Sequence, residues 1–231
     1  MKVQKSYFIE NKEITNKANE IKRIIRGSMN GVTVESMEQK GIYYKENFGV
    51  ALPRLREIAK QYDPNMQLAT QLWYLNIRES MIIGSLLVPP NEMNTAIAIQ
   101  WCEQIPTNEL SEIVAMTLFS RLPDATSFIA TALDNSKDIV FFTAISTATR
   151  ISKQLPNDLI KAITLKINNS EQFSFASANA IAIFLTRLAN DNSKHIKLVE
   201  EVIATLNKQA EPYSHFIFEY VTKELEYLKQ F

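Results

Sequence analysis

Residues 49–60 read GVALPRLREIAK. Leu52, Leu55, Ile58 and Ala59 recur every three to four residues, which gathers them on one side of an α-helix and would scatter them over both faces of a strand. Pro53 falls where such a helix begins, a place in which its missing N–H and fixed φ do no harm. Pro89, Pro123 and Pro156 follow at intervals of 36, 34 and 33 residues. A period of about 35 residues is room for two helices and their turns, the signature of an α-solenoid.

The same spacing extends in both directions. Ile14, Ala18, Ile21 and Ile25 predict an amphipathic first helix ending near Gly27, and Ile139, Ala144, Ile145, Ala148 and Ile151 predict another. Further helices are expected over residues 65–73, 76–88, 91–103, 107–120, 124–134, 157–167, 171–188, 193–208 and 213–229. No strand reading competes. Each two-helix unit would leave one face uncovered alone, so neighbours must stack into a curved array with a concave side. Five glycines among 231 residues leave little material for the tight turns of β-sandwiches or barrels, and 46% hydrophobic content is enough to close a sizeable core. Without a Gly-, Ser- or Pro-rich linker, one domain over residues 1–231 is the simplest expectation.

Twenty-five basic side chains balance twenty-five acidic ones, so the whole chain lacks the strong positive field common in nucleic-acid binders. Residues 1–60 nevertheless carry twelve basic and seven acidic side chains, and this lobe suits either phosphate contact or a solvated Lys-rich face. A single cysteine, Cys102, excludes an internal disulfide and a structural zinc site, which points to a reducing cytoplasm. The amino terminus, MKVQKSYFIENKEI, has no apolar signal-peptide core, and no apolar run is long enough for a membrane span.

Few residues promise chemistry. His195 and His215 have no metal-ligand partners at recognised spacing, and Gly27 and Gly31 do not form a phosphate-cradling loop, so neither a metal nor a nucleotide cofactor is expected. Cys102 lies among apolar neighbours and reads as core. In IPTNELSEIVAM, Glu109 and Glu112 lie three apart on one side of a helix capped by Thr107 or Asn108, a pattern that serves catalysis or simply the helix dipole. Tyr43, Tyr44 and Phe48 beside Lys40 and Lys45 suit nucleic acid or an ordinary packed loop. Arg121, Arg150 and Arg187 each fall near a helix carboxyl end, forming a basic patch along one rim of the array or merely complementing helix dipoles.

Gly49 to Lys60, the helix ending in Leu72–Trp73, and Ile77–Arg78–Glu79, followed by QWCEQIPTNELSEIVAMTLFSRLP, resemble the HEAT-like-repeat DNA glycosylases of the DNA alkylation repair family. The likeness is carried by residues 30–123. It implies a right-handed α–α superhelix that grips duplex DNA, alkylated or not, on its concave side, and hydrolyses the N-glycosidic bond of cationic alkylpurines without a cofactor. In such a site aromatic rings attract the charged base, and a carboxylate stabilises the oxocarbenium-like transition state.

Matched to that pattern, Asn108 stands where a Trp is expected, Glu109 matches a neighbouring Asp, and Glu112 replaces the catalytic Asp. A gapless continuation puts Thr143 at an Arg position and Ile181 at a second Trp position. The resemblance thus assigns Glu112 the catalytic place and sets Asn108 and Glu109 beside the DNA, while eroding the chemistry; Arg150, from the rim arginines, is taken as a further DNA contact. A DNA-binding protein with weak or absent glycosylase activity is expected. A non-catalytic solenoid that docks a protein partner is the alternative, consistent with zero net charge.

Overall fold

Glu79 ties the start of the chain together. A computed structural model describes residues 11–170 and 172–228; the reading of residues 1–10 as free of a signal-peptide core lies outside them. The described residues form thirteen α-helices joined by turns and short 3₁₀ segments, with no strand. None of these helices is long and apolar enough to cross a membrane. The chain divides into two compact units, one up to Met93 and one from Asn94.

The first unit holds α1 (Lys12–Gly27), α2 (Gly31–Gln39), α3 (Leu52–Ala59), α4 (Met66–Tyr74) and α5 (Arg78–Leu87). Asn11 caps α1 by accepting from the N–H groups of Glu13 and Ile14, and the helix buries the expected stripe of Ile14, Ala18, Ile21 and Ile25. α4 and α5 approach closely because Gly84 has no side chain. A Cβ there would lie 2.9 Å from the Ala69 carbonyl oxygen. α2 was not expected: it is rich in β-branched residues and buries only Met37, and it starts because Asn30 accepts from Thr33 N at 3.2 Å.

The loop before α3 is held by the buried Arg78–Glu79 pair. Glu79 Oε2 accepts from Phe48 N at 3.1 Å, and Oε1 accepts from Val50 N at 3.2 Å and from Arg78 Nη1 at 3.0 Å. Arg78 Nη1 also donates to the Val50 carbonyl at 3.1 Å. Buried backbone groups need partners, and one carboxylate supplies two of them here. Gly49 lies at φ +69°, and a Cβ on it would sit 2.2 Å from the Asn30 carbonyl oxygen. The Gly49 and Arg78–Glu79 motifs therefore serve the same corner of the fold.

The second unit holds α6 (Thr95–Cys102), α7 (Asn108–Thr117), α8 (Ala125–Leu133), α9 (Asp138–Arg150), α10 (Asn157–Asn168), α11 (Phe175–Asp191), α12 (Ile196–Leu206) and α13 (Pro212–Leu228). Pro123 and Pro156 stand at the entrances to α8 and α10, as the spacing predicts. α7, α9, α11 and α13 pack side by side in one layer, and α6, α8, α10 and α12 make the other. The first layer is the more extensively packed of the two and is called the inner one here. An open groove of about 390 Å³ lies between α10 and α12 of the other, lined by Leu165, Leu198 and Val202. Between the layers lie Trp101, Phe184 and the stacked rings of Phe119 and Phe128, 4.4 Å apart.

Two substitutions test the pinned loop. Glu79→Gln, which removes the negative charge from a buried ion pair, is expected to cost about 3–5 kcal/mol in urea unfolding. Gly49→Ala, strained and blocked by backbone, is expected to cost about 2–3 kcal/mol. A loss within about 0.5 kcal/mol at either position contradicts this account.

Candidate functional site

α7 begins at Thr107, whose Oγ1 accepts from Leu110 N at 3.2 Å; of the two capping candidates, the structure uses this one. The buried side of α7 carries Leu110, Ser111, Val114, Ala115 and Thr117. Glu112 is consequently exposed, and Asn108 and Glu109 are half-buried on the helix's first turn. This is the helical geometry expected of carboxylates three apart.

α9 packs against α7 through two buried hydroxyls. Thr143 Oγ1 donates to the Ile139 carbonyl at 2.6 Å, so its one proton is committed, and Ser111 must be the donor in the 2.6 Å bond between Ser111 Oγ and Thr143 Oγ1. That contact fixes the offset of the two helices. Arg150, at the end of α9, then reaches back so that Nη2 lies 3.4 Å from the Glu112 carbonyl oxygen. Crowding around the guanidinium lowers the Arg150 pKa, while the Glu112 carboxylate raises it. Arginine keeps its proton under either influence.

Glu112 and Arg150 thus come together from adjacent helical pairs. Thr143 and Ile181, the positions that gapless matching set against an Arg and a Trp, are both completely buried.

The other two rim arginines also make contacts within the chain. Arg121 Nη1 donates to the Thr117 carbonyl at 2.9 Å, satisfying the end of α7. Arg187 Nε donates to Asp191 Oδ2 at 3.0 Å. In the first unit, Arg26 lies 3.5 Å from Glu46 and 5.8 Å above the Phe48 ring, and Arg54 and Lys17 pair with Glu57 and Glu13. Several cations of that basic lobe are therefore already engaged. Of its aromatic group, Tyr43 is open to solvent, whereas Tyr44 and Phe48 are half-buried.

Sequence reasoning missed a second aromatic group. The Phe175 ring at the start of α11 lies 5.9 Å from that of Tyr213 and 5.5 Å from that of Phe216, and Phe216 lies 6.1 Å from Tyr220. Phe175, Tyr213 and Tyr220 are exposed. Tyr213, Phe216 and Tyr220 are spaced by three and four, a helical stripe that was available in the sequence; their pairing with Phe175 was not.

Among the described residues, no three His, Cys, Asp or Glu side chains gather as they would around a metal ion. His215 makes a surface contact with Glu219, its Nε2 lying 3.3 Å from Oε1. Cys102 is fully buried, and burial pushes its thiol up to about 12. It is packing, not a nucleophile.

The model of the DNA alkylation repair enzyme family matches residues 15–214. No curated protein matches the sequence. One solved structure, described as representing a new family of proteins related to the HEAT-like repeat DNA glycosylases with affinity for branched DNA structures, superposes with a TM-score of 0.75. Its identity to this chain is 16%, over 90% of this chain and 94% of that one. At such identity the likeness establishes the fold, a HEAT-like helical repeat.

The Cys102 environment sets a clear expectation for thiol reagents. With a pKa about 4 units above pH 8, only about one thiol in ten thousand is ionised there, and burial blocks access as well. The native chain should resist labelling by an aromatic disulfide reagent at pH 8 and react with one equivalent after denaturation. Rapid native labelling would contradict the packed reading.

Proposed function

Because this chain belongs to the DNA alkylation repair enzyme family, we propose that it is a DNA-binding protein whose N-glycosylase activity on alkylated purines is weak or absent. The observation that carries this reading is the α7–α9 pair: Glu112 is exposed beside Arg150, and the adjacent family aromatic position holds Asn108. The carboxylate needed to stabilise an oxocarbenium-like sugar is present, but the ring that would attract a cationic base is replaced by an amide. Cation–π attraction contributes about 0.5–2 kcal/mol, so its loss alone weakens lesion capture by roughly 2- to 30-fold. Glu is also one methylene longer than Asp, and a displacement of about 1 Å at a reacting centre costs on the order of 100-fold in rate.

In this reading Glu112 faces the deoxyribose, Asn108 and Glu109 border the nucleotide, and Arg150 offers a cation to the phosphate backbone. Any residual reaction is hydrolysis of the N-glycosidic bond by water, with no cofactor. The affinity of the structurally similar protein for branched DNA supports recognition of DNA shape in preference to a damaged base. A protein-docking scaffold is the second reading, favoured by zero net charge and by the exposed rings of Phe175, Tyr213 and Tyr220.

Titration of fluorescent duplex and four-way-junction DNA over a salt series separates the two. The DNA reading expects a log–log slope of about −0.9 per phosphate contacted, whereas a flat zero at low salt leaves the scaffold. Incubation with methylated DNA is expected to release 3-methyladenine and 7-methylguanine at or near background. Robust release that disappears in Glu112→Gln would show an active enzyme instead.

A further inference from the structure

One carboxylate in the second unit stands where elementary electrostatics disfavours it. Asp191 is the last residue of α11, at the negative end of the helix dipole, and its side chain is only 7% exposed. It is held there by three side chains of the same unit. The Ser152 hydroxyl, itself buried in the 3₁₀ turn that follows α9, donates to Asp191 Oδ2. Arg187, one turn earlier on α11, donates to the same oxygen through Nε at 3.0 Å, and Lys153 Nζ lies 3.8 Å from Oδ1.

The two cations are not buried with their anchor. Arg187 and Lys153 keep 52% and 69% of their side chains exposed. Asp191 accepts from Nε of Arg187, while about half of that side chain stays open to solvent. Lys153 follows Arg150 by three residues, in the 3₁₀ turn after α9. A tether between α9 and α11 could have been apolar. Burying a carboxylate at this helix end instead, with two long cations converging on it, organises a place for an anion.

We infer that Arg187 and Lys153 form a clamp for one phosphodiester of the DNA backbone, with Asp191 as its positioning residue and Ser152 fixing the carboxylate. The inference rests on the DNA-binding reading and deepens it. The phosphate takes the free guanidinium edge of Arg187 and the ammonium of Lys153. Asp191 touches neither the DNA nor any reacting atom; it removes the freedom of two flexible side chains before DNA arrives.

Net charge and positioning predict opposite signs, which makes the test sharp. Asp191→Asn removes a negative charge, so a general electrostatic effect would tighten DNA binding, whereas loss of the clamp weakens it. With the full chain and a fluorescent four-way junction, Asp191→Asn is expected to bind about tenfold more weakly at low salt. Arg187→Gln is expected to reduce the steepness of the log–log salt plot by about 0.9, one phosphate contact. Ser152→Ala, which keeps the carboxylate and removes its anchor, should weaken binding in the same direction by a smaller factor, and serves if Asp191→Asn does not fold. Binding by Asp191→Asn as tight as or tighter than that of the unaltered chain, or an unchanged slope in Arg187→Gln, overturns the clamp and leaves DNA binding standing. If the unaltered chain binds no DNA, both proposals fall together.

Discussion

A pair of short helices cannot bury its apolar stripe on its own, and this constraint governs the molecule. α9 alone would leave Phe142, Ala144 and Ile145 in water; between α7, α8 and α11 all three are buried. Each helix of the inner layer is therefore positioned by its neighbours, and only the remaining narrow face is free to vary in chemistry. Glu112, Arg150 and Arg187 lie on such faces. Their relative placement is set by core contacts, above all the buried hydroxyl pair of Ser111 and Thr143, and not by their own interactions.

That division leaves some positions free to vary while the scaffold persists. Asn108 and Glu112 occupy partly or wholly exposed positions on the first turns of α7, where a change of side chain disturbs little packing. Arg78, Glu79 and Gly49 have no such freedom. A buried carboxylate satisfying two backbone N–H groups, and a left-handed glycine pressed against the Asn30 carbonyl, are held by sterics and desolvation whatever the protein does.

Much of the fold was legible because its signal is periodic. The stripes around Ile21, Leu55 and Ala144, and the prolines at 53, 123 and 156, encode helices and their entrances locally. α2 escaped because Val32, Thr33 and Val34 weaken helix propensity and only Met37 is buried; its one local clue was the Asn30 cap. The site was less legible. Sequence placed Glu109 and Glu112 on one face, but Arg150 meets Glu112 across helical pairs, which no local spacing encodes. The aromatic meeting of Phe175 with Tyr213 and Phe216, and the burial of Asp191, depend on tertiary packing that no linear spacing records.

The reach of the bridging hydrogen bonds has a consequence for how the chain comes into being. Phe48 to Glu79, Ser111 to Thr143, Glu112 to Arg150 and Ser152 to Asp191 join residues separated by 31, 32, 38 and 39 positions. Loops of that size close quickly, and nothing joined must wait for a distant end of the polypeptide. Within each unit, a nascent chain can consolidate one hairpin upon the last as it leaves the ribosome. Pulled from its ends, the same chain should come apart in small successive steps.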